Sequence, residues 1–121
     1  GNHTKALAEF IDIYPTLCEL SGLEKPAHLE GQSLTPIIKN PGLAGKDFAL
    51  GRFRNGDTIR TDQWRYTEYT TAENTGDGPV IARMLYDHHQ DPDENFNLAL
   101  YPKYQPVIRE LSADLNRLKG R

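Results

Sequence analysis

No stretch of this 121-residue chain is apolar for long enough to cross a bilayer. The single cysteine, Cys18, cannot close a disulfide within the chain, so thiol content leaves the redox compartment undetermined. Basic runs are missing as well. The 14 Lys and Arg residues are scattered and the formal net charge is -3, which removes the electrostatic footprint expected of a nucleic-acid partner. There is no internal repeat or low-complexity segment. The chain also opens on Gly1-Asn2-His3-Thr4 without initiator methionine, charged leader or apolar signal segment, and the expectation is a piece of a longer protein. The glycosylation pattern at Asn2-His3-Thr4 is read as incidental at a terminus.

What is present is the composition of one globular domain, 37% hydrophobic and 26% charged. "KALAEFID" reads equally as helix or strand. After it, Asp12 is placed to cap a helix carrying Ile13, Leu17 and Leu20 at helical spacing. Pro15 falls in its first turn and Ser21-Gly22 ends it. Residues 23–46 form a Gly-, Pro- and Lys-rich connection, in which Ser33 caps a short helical turn with Pro36 near its start.

From Phe48 the pattern changes to strands: "FALGRFR", "DTIRT" and "WRYTEYT", with turns at Asn55-Gly56 and Asp62-Gln63. A loop at 73–79 leads to a fourth strand, "PVIARMLYD". A final helix is predicted from Pro102, with Val107, Leu111, Leu115 and Leu118 as its apolar stripe and Gly120 as its stop. Consecutive strands joined by short turns and flanked by helices predict an α+β fold, a small antiparallel sheet of about four strands with the last helix covering one face.

The densest polar segment is "LYDHHQDPDENFNLAL", residues 85–100. A calcium loop fails there, because Phe96 stands where the sharp turn needs glycine and Pro102 where a bidentate glutamate is needed. Adjacent His88 and His89 point to opposite faces of a strand end, find no further zinc ligand nearby and are read as two exposed histidines. The acids at 91, 93 and 94 are explained by turn chemistry and helix initiation. Cys18 has no basic sequence neighbour to activate it and is read as a packed thiol. Trp64 and Tyr66 share a strand face and are expected in the core. Among Arg52, Arg54, Arg60 and Arg65, the pair Arg52 and Arg54 in "GRFRNG" is the candidate for an anionic or sugar ligand, since residues two apart on a strand point the same way.

Two segments together carry a family resemblance. "EFIDIYPTLCELSGLEKPAHLEGQSLTPII" resembles the part of the sulfatases that follows the last strand of their large sheet, nearest to the iduronate-2-sulfatase-like branch. "IRTDQWRYTEY" followed by "LYDHHQDPDENFNLA" is similar to their C-terminal subdomain, where Leu-Tyr-Asp runs into Asp-Pro-x-Glu-x-x-Asn-Leu. The resemblance implies that residues 1–46 leave a catalytic domain as strand, helix and linker, and that 47–121 form the antiparallel sheet and C-terminal helix. It also implies an enzyme that hydrolyses sulfate esters with Ca²⁺ and a formylglycine made within Cys/Ser-x-Pro-x-Arg, in a secreted, periplasmic or lysosomal setting.

Cys18-Glu19-Leu20-Ser21-Gly22 lacks that motif's proline and arginine, so no catalytic or metal role transfers to this sequence. The expected role is support of the catalytic domain, with Arg52 and Arg54 at the substrate mouth and a sulfated carbohydrate as ligand; no nucleic acid or membrane is expected. The alternative is a stand-alone carbohydrate- or anion-binding module. A structural or oligomerising domain is the third reading.

Overall fold

The computed structural model describes residues 1–72 and 78–119, which form two compact units, 1–49 and 50–121. The central loop residues 73–77 and the Gly120 stop lie outside the described residues.

In the first unit "ALAEFID" becomes neither a full strand nor an α-helix. Leu7 makes one antiparallel bridge with Lys46, and Phe10–Asp12 form a 3-10 turn that runs directly into helix α1, Ile13–Leu20. Asp12 therefore already has helical dihedrals and does not cap α1 with its side chain, contrary to the expectation from sequence. Its carboxylate is fully buried and receives Lys46 at 2.6 Å and the backbone N–H groups of Gln32 and Glu9 at 2.8 and 2.9 Å. Lys46 also pairs with Glu9. The close backbone approach behind this knot requires glycine at position 31, because a Cβ there would stand 1.9 Å from the Ile11 carbonyl oxygen.

Helix α1 ends as predicted. Gly22 takes φ +69, and the N–H groups of Gly22 and Leu23 bond the carbonyls of Glu19 and Cys18, satisfying groups the helix end leaves open. Helix α2, Thr35–Lys39, carries Pro36 in its first turn, and Ser33 Oγ accepts the Thr35 N–H. Thr16 ties the two helices, donating to the Asp12 carbonyl and accepting the Leu34 N–H.

The sheet is four-stranded and antiparallel in the order β1 (Ala49–Phe53), β2 (Gly56–Arg60), β3 (Trp64–Thr70), β4 (Val80–Asp87). The first corner falls one residue earlier than the sequence suggests. Arg54 and Asn55 make the turn, with Arg54 at φ 54, and Gly56 already belongs to β2. Gly56 is needed for packing rather than for the corner, since a Cβ would lie 2.8 Å from the Tyr69 ring. At the next corner Thr61 Oγ1 accepts the Trp64 N–H, and Thr61 N–H bonds the Trp64 carbonyl.

Pro102–Tyr104 form a 3-10 turn, and α3 runs from Gln105 to Lys119. Its buried stripe is Ile108, Leu111, Leu115 and Leu118; Ile108 takes the place expected for Val107. This stripe covers the sheet face on which Ile59, Tyr66 and Leu85 stand side by side, each wholly buried. The neighbouring row on that face is charged. Asp57 receives Arg52 and Lys119, and Glu68 accepts the hydroxyls of Tyr66 and Ser112, so two buried carboxylates pin α3 to the sheet. Burial and the Glu68 hydrogen bond push the Tyr66 phenol far above its ordinary pKa, keeping it a neutral donor.

Candidate functional site

Residues 87–97, the conspicuous polar segment, form a clip at the end of the sheet. Asp91 accepts the Asn95 amide and the Phe96 N–H, both at 2.9 Å, which closes the Asp-Pro turn on itself. These hydrogen bonds hold its pKa below the ordinary carboxylate value. Glu94 stands at φ 57, a left-handed conformation that costs a non-glycine residue about 1 kcal/mol or more. Its side chain is thereby aimed at two partners, Arg65 on β3 and His88 Nε2 at 2.6 Å. Asn97 completes the clip. Its Oδ1 accepts the Leu85 N–H at 3.0 Å and its Nδ2 donates to the Arg83 carbonyl at 3.1 Å, so one side chain serves as a strand for β4, the last in the sheet.

The two histidines separate as expected from their strand position. Only His89 is exposed as expected, meeting Asp62 at 3.0 Å; His88 is largely covered because Glu94 draws its ring onto the clip. Cys18 is buried in α1. Among the described residues no three His, Cys, Asp or Glu side chains are grouped to hold a metal ion. Trp64 and Tyr66 share a face, Tyr66 wholly buried and Trp64 edge-on to Tyr104 with ring centroids 6.1 Å apart. Tyr69 donates to the Met84 sulfur. Arg60 has one guanidinium nitrogen buried without a hydrogen-bond partner among the described residues, and burial lowers its pKa.

The structure gives Arg52 and Arg54 different settings. Arg52 makes a two-pronged ion pair with Asp57, 2.5 Å from Nε and 3.2 Å from Nη2. Arg54 sits on the corner itself, outside the strand alternation that was to align it with Arg52, and lies over the Phe53 ring at 5.4 Å. Sequence reasoning missed the buried carboxylates Asp12, Asp57 and Glu68. For the last two a signal existed: each occupies a strand position in phase with core residues, Ile59 and Tyr66, where an acid must find a partner.

Comparisons with known proteins place the chain in a family. The model of the N-sulphoglucosamine sulphohydrolase C-terminal family matches residues 1–121. The chain belongs to this family. A sulfatase of Formosa agariphila is 36% identical over 116 residues, 93% of this chain and 21% of that protein. The Delta 4,5-hexuronate-2-O-sulfatase of Bacteroides thetaiotaomicron is 30% identical over 115 residues, 88% of this chain and 22% of its own length. A solved 2-O GAG sulfatase superposes with a TM-score of 0.68 at 29% identity, covering 88% of this chain and 23% of that one. This sulfatase C-terminal domain thus spans about a fifth of the relatives it matches. The Asp-Pro-x-Glu-x-x-Asn run of this sequence is accounted for residue by residue as the clip: Asp91 closes the turn, Glu94 holds β3, and Asn97 satisfies β4.

Proposed function

We propose that this chain is the C-terminal part of an iduronate-2-sulfatase-like enzyme that cleaves sulfate esters of a sulfated carbohydrate, and that it buttresses that enzyme's catalytic domain. The observation that carries the reading is the outward apolar surface of the first unit. Phe10 is 92% exposed, and Ile13, Tyr14, Leu17 and Leu20 are each about half exposed, although they carry the apolar stripe of α1. An unpaired stripe of this kind is an interface. Covering it removes water from each side chain at a gain on the order of 1 kcal/mol apiece. The relatives' greater length supplies the natural occupant, the catalytic domain of the same polypeptide.

The family's chemistry requires Ca²⁺ and formylglycine, and the described residues fit neither. Cys18 is buried and lacks the surrounding motif, and no metal-sized donor group is assembled. No step of the reaction is therefore written through this chain. Its contribution to substrate lies in the β1–β2 corner. Arg54, exposed and without an ion-pair partner among the described residues, is the contact for an anionic sugar, with Arg52 holding the hairpin through Asp57.

The test compares the intact polypeptide with these 121 residues alone. The intact form turns over a sulfate ester, and Leu17→Glu with Leu20→Glu removes that activity by undocking the domain. Turnover by the isolated 121 residues, or full activity of the double variant, would refute the reading.

A further inference from the structure

Arg60, the last residue of β2, stands directly opposite Arg65 of β3, and Arg65 stands opposite Tyr86 of β4. The three share the sheet face turned away from α3, because the adjacent positions Ile59, Tyr66 and Leu85 form the row beneath that helix. Two like charges thus meet across the strands, a pairing that needs acids to answer it. Arg65 has its answer. Glu94 gives one carboxylate oxygen to Arg65 and the other to His88, and the Arg65 guanidinium lies 6.0 Å over the Tyr86 ring. Arg60 has none. Among the described residues no ion pair or side-chain hydrogen bond includes it, and its Nη1 is buried without an acceptor. Asp62, two residues on, is exposed and engaged by His89 at 3.0 Å. Burial works against the charge on Arg60, yet a guanidinium keeps its proton at any ordinary pH. A charged donor is left unanswered on a half-buried side chain.

We infer that Arg60 is an ion-pair anchor for the catalytic domain of the same polypeptide, which presents an Asp or Glu carboxylate to it. The inference rests on the reading that such a domain accompanies this chain. Charge selects the carboxylate: a neutral carbonyl would satisfy the N–H but leave the two facing arginines with one acid between them, whereas a carboxylate does both. The planar guanidinium also matches two carboxylate oxygens at once. Tethering selects the source. A free anion loses all its translational freedom on binding, while an acid on the same polypeptide arrives at high effective concentration. The matched relatives have ample chain to carry it, since this domain spans 21% and 22% of two of them. The anchor adds direction to the docking. The apolar stripe of α1 attracts without orientation, and a buried ion pair fixes the register in which the second unit meets its neighbour.

Its test uses the intact polypeptide with Arg60→Lys, which places a reactive amine on a similar stem. A water-soluble carbodiimide then joins that amine to a carboxylate in contact, the carboxylate oxygen leaving on the reagent as its urea. Peptide mapping by mass spectrometry should find the linked acid outside these 121 residues, and Arg60→Met should lose the link. The melting temperature of the intact polypeptide should fall with Arg60→Met and fall less with Arg60→Lys. A link confined to these 121 residues, no link from that position in a digest holding links from other lysines, or an unchanged melting temperature in Arg60→Met each overturns the anchor. Cross-linking reads contact and not turnover, so its failure is separate from a failure to cleave sulfate esters.

Discussion

Helices α1 and α3 are both amphipathic, yet they meet opposite fates. The stripe of α3 is sealed against the sheet, Leu115 at 1% exposure, whereas Leu17 on α1 is 55% exposed. The contrast does not lie in the pattern of either helix, since both place apolar residues at helical spacing. It lies in supply. The sheet offers α3 a matching row in Ile59, Tyr66 and Leu85, while in the first unit the buried side of α1 is Pro15, Thr16 and Cys18 beside the polar knot around Asp12, and the apolar stripe is left outside. Periodicity therefore identifies an interface without saying whether the chain itself contains the other half.

Removing Leu115 should sharpen that contrast most. Leu115→Ala is expected to cost about 3 kcal/mol in urea unfolding of the second unit, from lost transfer energy plus a cavity. The matching Leu17→Ala should cost less than about 0.5 kcal/mol in the 121-residue chain, because its side chain is already half in water. Equal losses would mean that α1 is packed after all.

The next largest effect concerns the charged row beneath α3. Asp57→Ala leaves Lys119 and Arg52 without their shared partner and should cost about 2 kcal/mol. Burial opposes ionisation of Asp57, but hydrogen bonds from Arg52 and Lys119 outweigh it and its pKa falls below the ordinary 3.8. A depressed carboxylate pKa contributes stability that is fully present above the unfolded value and is lost as pH falls through the folded one. Unfolding free energy should therefore drop as pH is lowered below 3.8, and Asp57→Asn should flatten that drop. Asp12 follows the same sign in the first unit. Burial works against its ionisation, and Lys46 and the N–H groups of Gln32 and Glu9 prevail.

A smaller loss is expected from the clip. Asn97→Ala uncovers the Leu85 N–H and the Arg83 carbonyl on β4, and about 1 kcal/mol should go, read by faster amide exchange at Leu85. Smallest of all in stability is Arg54→Ala, which should leave the melting temperature unchanged. In the intact enzyme it should raise KM for a sulfated sugar, and unchanged kinetics would remove Arg54 from the substrate mouth.

Much of the second unit was legible because period-two strands and a period-3.6 helix leave unambiguous traces. β3 begins and ends where its pattern does, and the core of α3 differs by one residue, Ile108 for Val107. The errors came where a local rule had a tertiary competitor. Asn55-Gly56 is a strong turn signal, but Gly56 is required under the Tyr69 ring and the corner moves to Arg54-Asn55. Asp12 sits where a cap belongs, yet Lys46, 34 residues away, draws it into a buried ion pair. The segment at 85–100 is the strand end and Asp-Pro turn that its residues predict. That Asn97 would reach across to the edge of β4 depends on a contact over 14 residues that spacing does not encode.

The central claim is that α1 presents half of an interface completed by the catalytic domain of the same polypeptide. Hydrogen exchange across residues 13–20, compared between the isolated 121 residues and the intact polypeptide, addresses it directly. Protection of α1 should rise at least about a hundredfold in the intact form while the core of α3 changes little. Equal protection of α1 in both would contradict the claim and leave its apolar face without a partner.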